Sequence, residues 1–177
     1  MVTIGSRSLR KIIVAISLVI LAGRGLAEAA SPVEPTVVIV VRHAEKADDG
    51  TRDPPLSAVG QERARLLARL LRDAGVAGVY TSDTRRARET AQPLASALSL
   101  VAEEYPGRDV EALIARVLEH RTSQTVLIVG HSNTVPEMIS SLTRGRYSVV
   151  LRDDEYDALF VVTMGEGDLP ALLRLRY

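Results

Sequence analysis

The sequence has no cysteine among its 177 residues, which excludes disulfides, thiolate nucleophiles and cysteine-ligated zinc. Aromatic residues amount to 3%, with no tryptophan and one phenylalanine. That leaves little from which to build a base-stacking platform or an aromatic cage. Neither sign of charge is in excess, since 22 basic residues balance 22 acidic ones, so the composition points to no nucleic-acid partner. The apolar run Ile12 to Ala22 has eleven residues, short of the ~20 that a membrane-spanning helix needs. A G-x-x-x-x-G-K-[ST] loop is also missing, which removes the P-loop route to nucleoside triphosphates. What is present is ordinary globular usage, 46% hydrophobic and 25% charged, in a length that suits one domain. The core must come from Leu, Val, Ile and Ala.

The first residues read as an address. Arg7, Arg10 and Lys11 precede the apolar run, and Ala27-Glu28-Ala29 follows it. A basic start, a short apolar stretch and a small-x-small site together predict a cleavable signal peptide over Met1–Ala29, hence a periplasmic or secreted protein with no membrane span once cleaved. Residues 30–36, with two prolines, form a linker, and residues 37–177 form the domain.

Val37 to Val41 is five consecutive β-branched residues, the signature of a strand buried on both faces. Polar residues then run to Pro55, a loop. Ser57 is placed to cap a helix whose stripe is Leu66, Leu67, Leu70 and Leu71. Val76–Thr81 reads as a second strand, Thr84 to Leu98 as a helix interrupted or kinked at Pro93, and the residues after Val110 as an amphipathic helix capped by Asp109. A strand over Thr125–Val129, a helix over Thr134–Leu142 with Pro136 in its first turn, a strand over Tyr156–Thr163 and a final one over Ala171–Leu175 complete the pattern. Strands alternating with helices predict an α/β fold, a three-layer sandwich around a mostly parallel sheet.

Ligands of such sheets bind beyond the carboxyl ends of the strands. Arg42 and His43 follow the first strand directly; Ser82, Arg85 and Arg86 follow the second; His131 follows the Thr125–Val129 strand. His120 instead closes a helix, where a cation suits the dipole, and reads as structural. Arginines with histidines at one edge suit a phosphoryl group, because guanidinium binds its oxygens bidentately and a neutral imidazole can attack phosphorus.

Four blocks in order carry a family resemblance. Arg42-His43-Ala44-Glu45 after the strand resembles the Arg-His-Gly/Ala-Glu signature of the histidine phosphatase superfamily, the phosphoglycerate mutase-like proteins. Leu56-Ser57-Ala58-Val59-Gly60-Gln61-Glu62-Arg63-Ala64 is similar to its Leu-Ser-x-x-Gly-x-x-Arg-Ala helix start. Ser82-Asp83-Thr84-Arg85-Arg86-Ala87-Arg88-Glu89-Thr90-Ala91 resembles its Ser-Pro-x-x-Arg-Ala-x-x-Thr-Ala block, with Asp83 where proline is usual. Gly130-His131-Ser132 resembles its Gly-His-Gly/Ser block. The resemblance implies a phosphoglycerate mutase-like fold, His43 as the phosphorylated nucleophile, Arg42, Arg86 and His131 as phosphate-binding residues, and no metal or organic cofactor.

It also implies an acid that protonates the leaving group. Candidates are Glu103, Glu104 and Asp109, with Asp153, Asp154, Glu155 and Asp157 on the C-terminal side; Glu104 leads, against the alternative of a solvated loop carboxylate. Glu45 and Lys46 either shape the entrance or form a solvated pair. Ser82 is expected to cap a helix; Asn133 either caps the next one or orients His131. The function expected is an exported phosphomonoesterase acting on a small phosphate ester or a phosphorylated envelope component. A mutase of the same family and a catalytically silent phosphate-binding module are the alternatives. A serine hydrolase at Ser132 fails because Thr134 stands where the nucleophile elbow needs glycine.

Overall fold

The computed structural model describes residues 34–177 apart from Arg108 and Glu166, so the expected signal peptide lies outside the described residues. Six strands, β1 (Thr36–Arg42), β2 (Val76–Ser82), β3 (Ala102–Tyr105), β4 (Thr125–Gly130), β5 (Ala158–Met164) and β6 (Ala171–Arg176), form one sheet in the order β3-β2-β4-β1-β5-β6. Helices α1 (Ala58–Leu71), α2 (Arg85–Ala97), α3 (Val110–His120) and α4 (Thr134–Leu142) cover it. The four strands from β3 to β1 are parallel; β5 pairs antiparallel with β1, and β6 antiparallel with β5. The expected three-layer α/β sandwich with a mostly parallel sheet is the fold observed.

Strand direction decides which face each helix takes. From β1 to β2 to β3 the chain moves one way along the sheet; from β3 to β4 it turns back. Right-handed crossovers then send α1 and α2 to one face and α3 to the other. Two cores result. Leu67, Leu71, Ala87, Ala91 and Leu94 pack with Ile39, Val41 and Leu127 on one side. Leu113, Ile114, Val117, Met138 and Ile139 pack with Val38, Val40 and Ile128 on the other. Consecutive residues of β1 thus serve opposite cores, which is why the strand tolerates no polar position between Val37 and Val41.

Three local expectations differ from the structure. A short strand, β3, occupies part of the segment between α2 and α3; its Ala-Glu-Glu-Tyr sequence carries no β-branched residue and gains its register from β2. Pro93 does not interrupt α2, which runs through it: Ala91, Leu94 and Ala95 are all buried around it, and that packing offsets the one backbone hydrogen bond a proline removes. The strand expected from Tyr156 begins at Ala158.

Gly60 explains one of the sequence blocks. Ser57 Oγ accepts from the Gly60 amide at 3.1 Å to cap α1, and a Cβ on Gly60 would lie 2.1 Å from the Glu45 carbonyl oxygen. The helix start therefore presses against the backbone two residues beyond His43. Gly60→Ala should lower stability by about 2 kcal/mol or more, as overpacking against backbone does, read from the urea midpoint.

Candidate active site

β1 and β4 are neighbours whose following segments leave on opposite faces, α1 on one and α4 on the other. Where parallel strands diverge like this a crevice opens at their carboxyl ends. His43 and His131 stand on either side of it. His43 N donates to Gly130 O at 2.9 Å, so the two post-strand turns are stitched together, and the imidazole centroids lie 5.1 Å apart. A cavity of about 610 Å³ opens here, lined by Arg42, His43, Lys46, Asp83, Arg86 and His131 among others.

Arg42 is 7% exposed and held from one side. Its Nη1 donates to the carbonyl oxygens of Arg152, Asp153 and Glu155 at 3.0, 2.9 and 3.2 Å, and its Cζ lies 4.0 Å from the Tyr156 ring centroid. The antiparallel β5 makes this possible, because the segment entering it passes the edge where β1 ends. With Nη1 so committed, Nε is buried without a hydrogen-bond partner among the described residues. A buried guanidinium donor left in that state beside a cavity is suited to an anion.

His43 Nδ1 lies 2.8 Å from Ala44 O. A carbonyl only accepts, so Nδ1 carries the proton and Nε2 keeps the lone pair. Arg86 Nε donates to that lone pair at 3.2 Å. Burial pushes the His43 pKa down to about 3, with His131 and the two arginines adding to the effect. His131 is likewise lowered to about 4, first by burial and then by Arg86. Both rings are neutral near pH 7. His131 Nε2 and Ser82 Oγ share a 2.8 Å hydrogen bond, so Ser82 orients the second histidine and does not cap a helix. Asn133 makes no capping bond; Thr134 Oγ1 instead accepts from His131 N at 2.9 Å.

Arg86 owes its place to residues that sequence reasoning passed over. Thr84, the residue preceding α2, makes no side-chain cap. Asp53, from the loop after β1, accepts from Arg85 N with both carboxylate oxygens at 3.0 Å and pairs with Arg86 Nη1 at 3.4 Å. Thr90 Oγ1 donates to Arg86 O at 2.7 Å and accepts from Ala44 N at 2.9 Å, tying α2 to the turn that carries His43. Thr90 stands in the quoted Thr-Ala pair and so left a signal; Asp53 left none. Glu45 binds Arg63, whose Nε lies 2.9 Å from both carboxylate oxygens, which joins the turn to α1, while Lys46 lines the cavity. Arg85 pairs with Glu89 on the helix surface.

Glu104 lies elsewhere. It is exposed, pairs with Arg88 at 3.5 Å and lines a separate small cavity with Asp109 and Arg116. The strand β3 turns it away from the crevice, and the structure does not bring it together with the other four expected residues. His120 is exposed at the end of α3. Among the described residues no three His, Asp or Glu side chains converge as metal ligands would.

The family model of the histidine phosphatase superfamily (branch 1) matches residues 38–109. The "Probable phosphoglycerate mutase GpmB" of Yersinia enterocolitica is 38% identical over 69 residues, which cover 36% of this chain and 32% of the relative. The matched stretch thus spans about a third of the length of the curated relative. Among solved structures, the protein histidine phosphatase SixA complexed with tungstate is similar with a TM-score of 0.66 and 23% identity, over 79% of this chain and 96% of that one. A mycobacterial glucosyl-3-phosphoglycerate phosphatase complexed with VO3 gives 0.62 and 15%, over 79% and 98%. These likenesses extend the shared fold well beyond the sequence match.

Because both imidazoles have folded-state pKa values below 6.5, the unfolded chain binds more protons between about pH 6.5 and 4. Stability therefore falls as pH falls through that window, by up to about 1.4 kcal/mol per pH unit for each ring. Urea midpoints at pH 7 and 5 should show this slope, and His43→Asn should make it shallower. Asp53→Ala should cost about 1 kcal/mol through loss of the helix cap, with Asp53→Asn costing less in the same measurement.

Proposed function

The chain belongs to the histidine phosphatase superfamily, and from that premise we propose that it is an exported phosphomonoesterase working through a phosphohistidine at His43. The observation that carries the reading is the His43 tautomer: proton fixed on Nδ1 by Ala44 O, lone pair on Nε2 facing the guanidinium of Arg86. A phosphoryl group entering the cavity takes over the donors of Arg86 and the unpartnered Nε of Arg42. His43 Nε2 attacks phosphorus, the P–N bond forms and the ester P–O bond breaks. Water then attacks phosphorus, the P–N bond breaks, and orthophosphate leaves. The two guanidinium groups neutralise the equatorial oxygens, with the uncharged His131 ring beside them, which is most of what such a transfer needs. The neutral state of both rings supports this, since a protonated His43 has no electron pair to offer.

Hydrolysis is favoured over mutase chemistry by the segment between α2 and α3. It is spent on β3 and the turn at Pro106-Gly107, which walls the cavity, leaving little chain for a lid that would keep water from an intermediate. The sequence of Met1–Ala29 supports action outside the cytoplasm, on a small phosphate ester or a phosphorylated envelope component. His43→Ala should lower turnover of p-nitrophenyl phosphate at least about a thousandfold, and acid-labile label from a phosphorylated substrate should appear on the wild-type protein at His43. Full activity in the variant would sink the reading; unchanged phosphate affinity with no activity in the wild type would favour a binding module.

A further inference from the structure

The reaction proposed above lacks one group, the acid that protonates the leaving oxygen. An alkoxide is too basic to depart unaided. The structure removes the carboxylates that the sequence offered for the task. Glu103 is bound by Arg116 and Arg121, Glu104 by Arg88, Glu155 by Arg174 and Arg176, Asp154 by Arg152 and Asp157 by Arg176. Asp109 caps α3 through Ala112 N. Asp153 does not line the cavity. Glu45 and Asp53 are occupied by Arg63 and by the start of α2.

Among the described residues one carboxylate lines the cavity, that of Asp83. Among the described residues it makes no ion pair, and only its backbone oxygen accepts a hydrogen bond, from Arg88. Its position follows from its neighbour: Ser82 ends β2 and holds His131 Nε2 at 2.8 Å, so the next side chain reaches the rim beside that ring. Opposite stands Gly107. A Cβ built there would lie 3.2 Å from Asp83 Oδ1 and 3.9 Å from His131 Nε2, so the absence of a side chain leaves room for the carboxyl within reach of the phosphoryl-binding histidine.

Resting on the phosphomonoesterase reading, we propose that Asp83 is the catalytic acid. As His43 Nε2 forms its bond to phosphorus and the P–O bond breaks, the leaving oxygen takes the electron pair and the Asp83 proton and departs as the alcohol. The Asp83 carboxylate then accepts a proton from the water that attacks phosphohistidine. The P–N electron pair returns to Nε2, and both groups regain their starting states.

The test compares leaving groups. p-Nitrophenolate leaves without a proton, whereas the alkoxide of β-glycerophosphate does not. Asp83→Asn should lower kcat/KM on β-glycerophosphate about a hundredfold, but on p-nitrophenyl phosphate only a few-fold, and Asp83→Glu should recover part of the alkyl-ester activity. Turnover of the aryl ester reports that the variant's site is folded. Equal losses on both esters, or no loss on the alkyl ester, would overturn the assignment while leaving the phosphohistidine route intact. If the wild-type protein hydrolyses neither ester, the phosphomonoesterase reading fails and this one with it. Should Asp83→Asn not fold, Asp83→Ala and Asp83→Ser carry the same comparison.

Discussion

An imidazole kept neutral between two guanidinium groups is the constraint around which the rest of the molecule is arranged. Burial withdraws water from His43, the positive charges of Arg42 and Arg86 disfavour a third, and the Ala44 carbonyl fixes the single proton on Nδ1. Each condition depends on a different part of the fold. Burial needs the turn after β1 to lie against the turn after β4. Arg42 must be restrained by the segment that enters β5, and Arg86 must arrive from α2 at a defined height.

The sheet order meets these conditions together. Inserting β4 between β1 and β2 places both histidines beside the same crevice, and the reversal of direction that puts β4 there also sends α1 and α4 to opposite faces. The change to antiparallel pairing at β5 has a separate consequence. It delivers a run of backbone carbonyls to the edge where β1 ends, and three of them take Arg42 Nη1. A neutral carbonyl anchor leaves the guanidinium charge uncompensated and available to an anion, which a carboxylate anchor would not. Arg86 differs in this respect: Asp53 offsets part of its charge while fixing the start of its helix.

Arg42, His43 and His131 were legible because each stands at the end of an apolar strand run, and such positions of parallel strands share one edge; Arg86 was set apart from Arg85 only by the family block. Glu104 was misplaced for the complementary reason. It sits on β3, whose sequence has no strand signature, so neither the element nor the facing of its side chains could be read. Asp83 stands where the family block has proline, and nothing in the sequence says that Gly107 would face it. Asp53 and Tyr156 act across separations of 33 and 114 residues, beyond any local pattern.

The alternation of strands and helices, and the edge at which Arg42, His43 and His131 gather, could be read directly from the chain, because periodicity and strand-end position are local properties. Which nitrogen of His43 is free, what holds each arginine and which carboxylate faces the cavity emerge only on folding. Those depend on groups that meet through packing, where a single carbonyl or a missing side chain a few ångströms away sets the proton, the charge and the space.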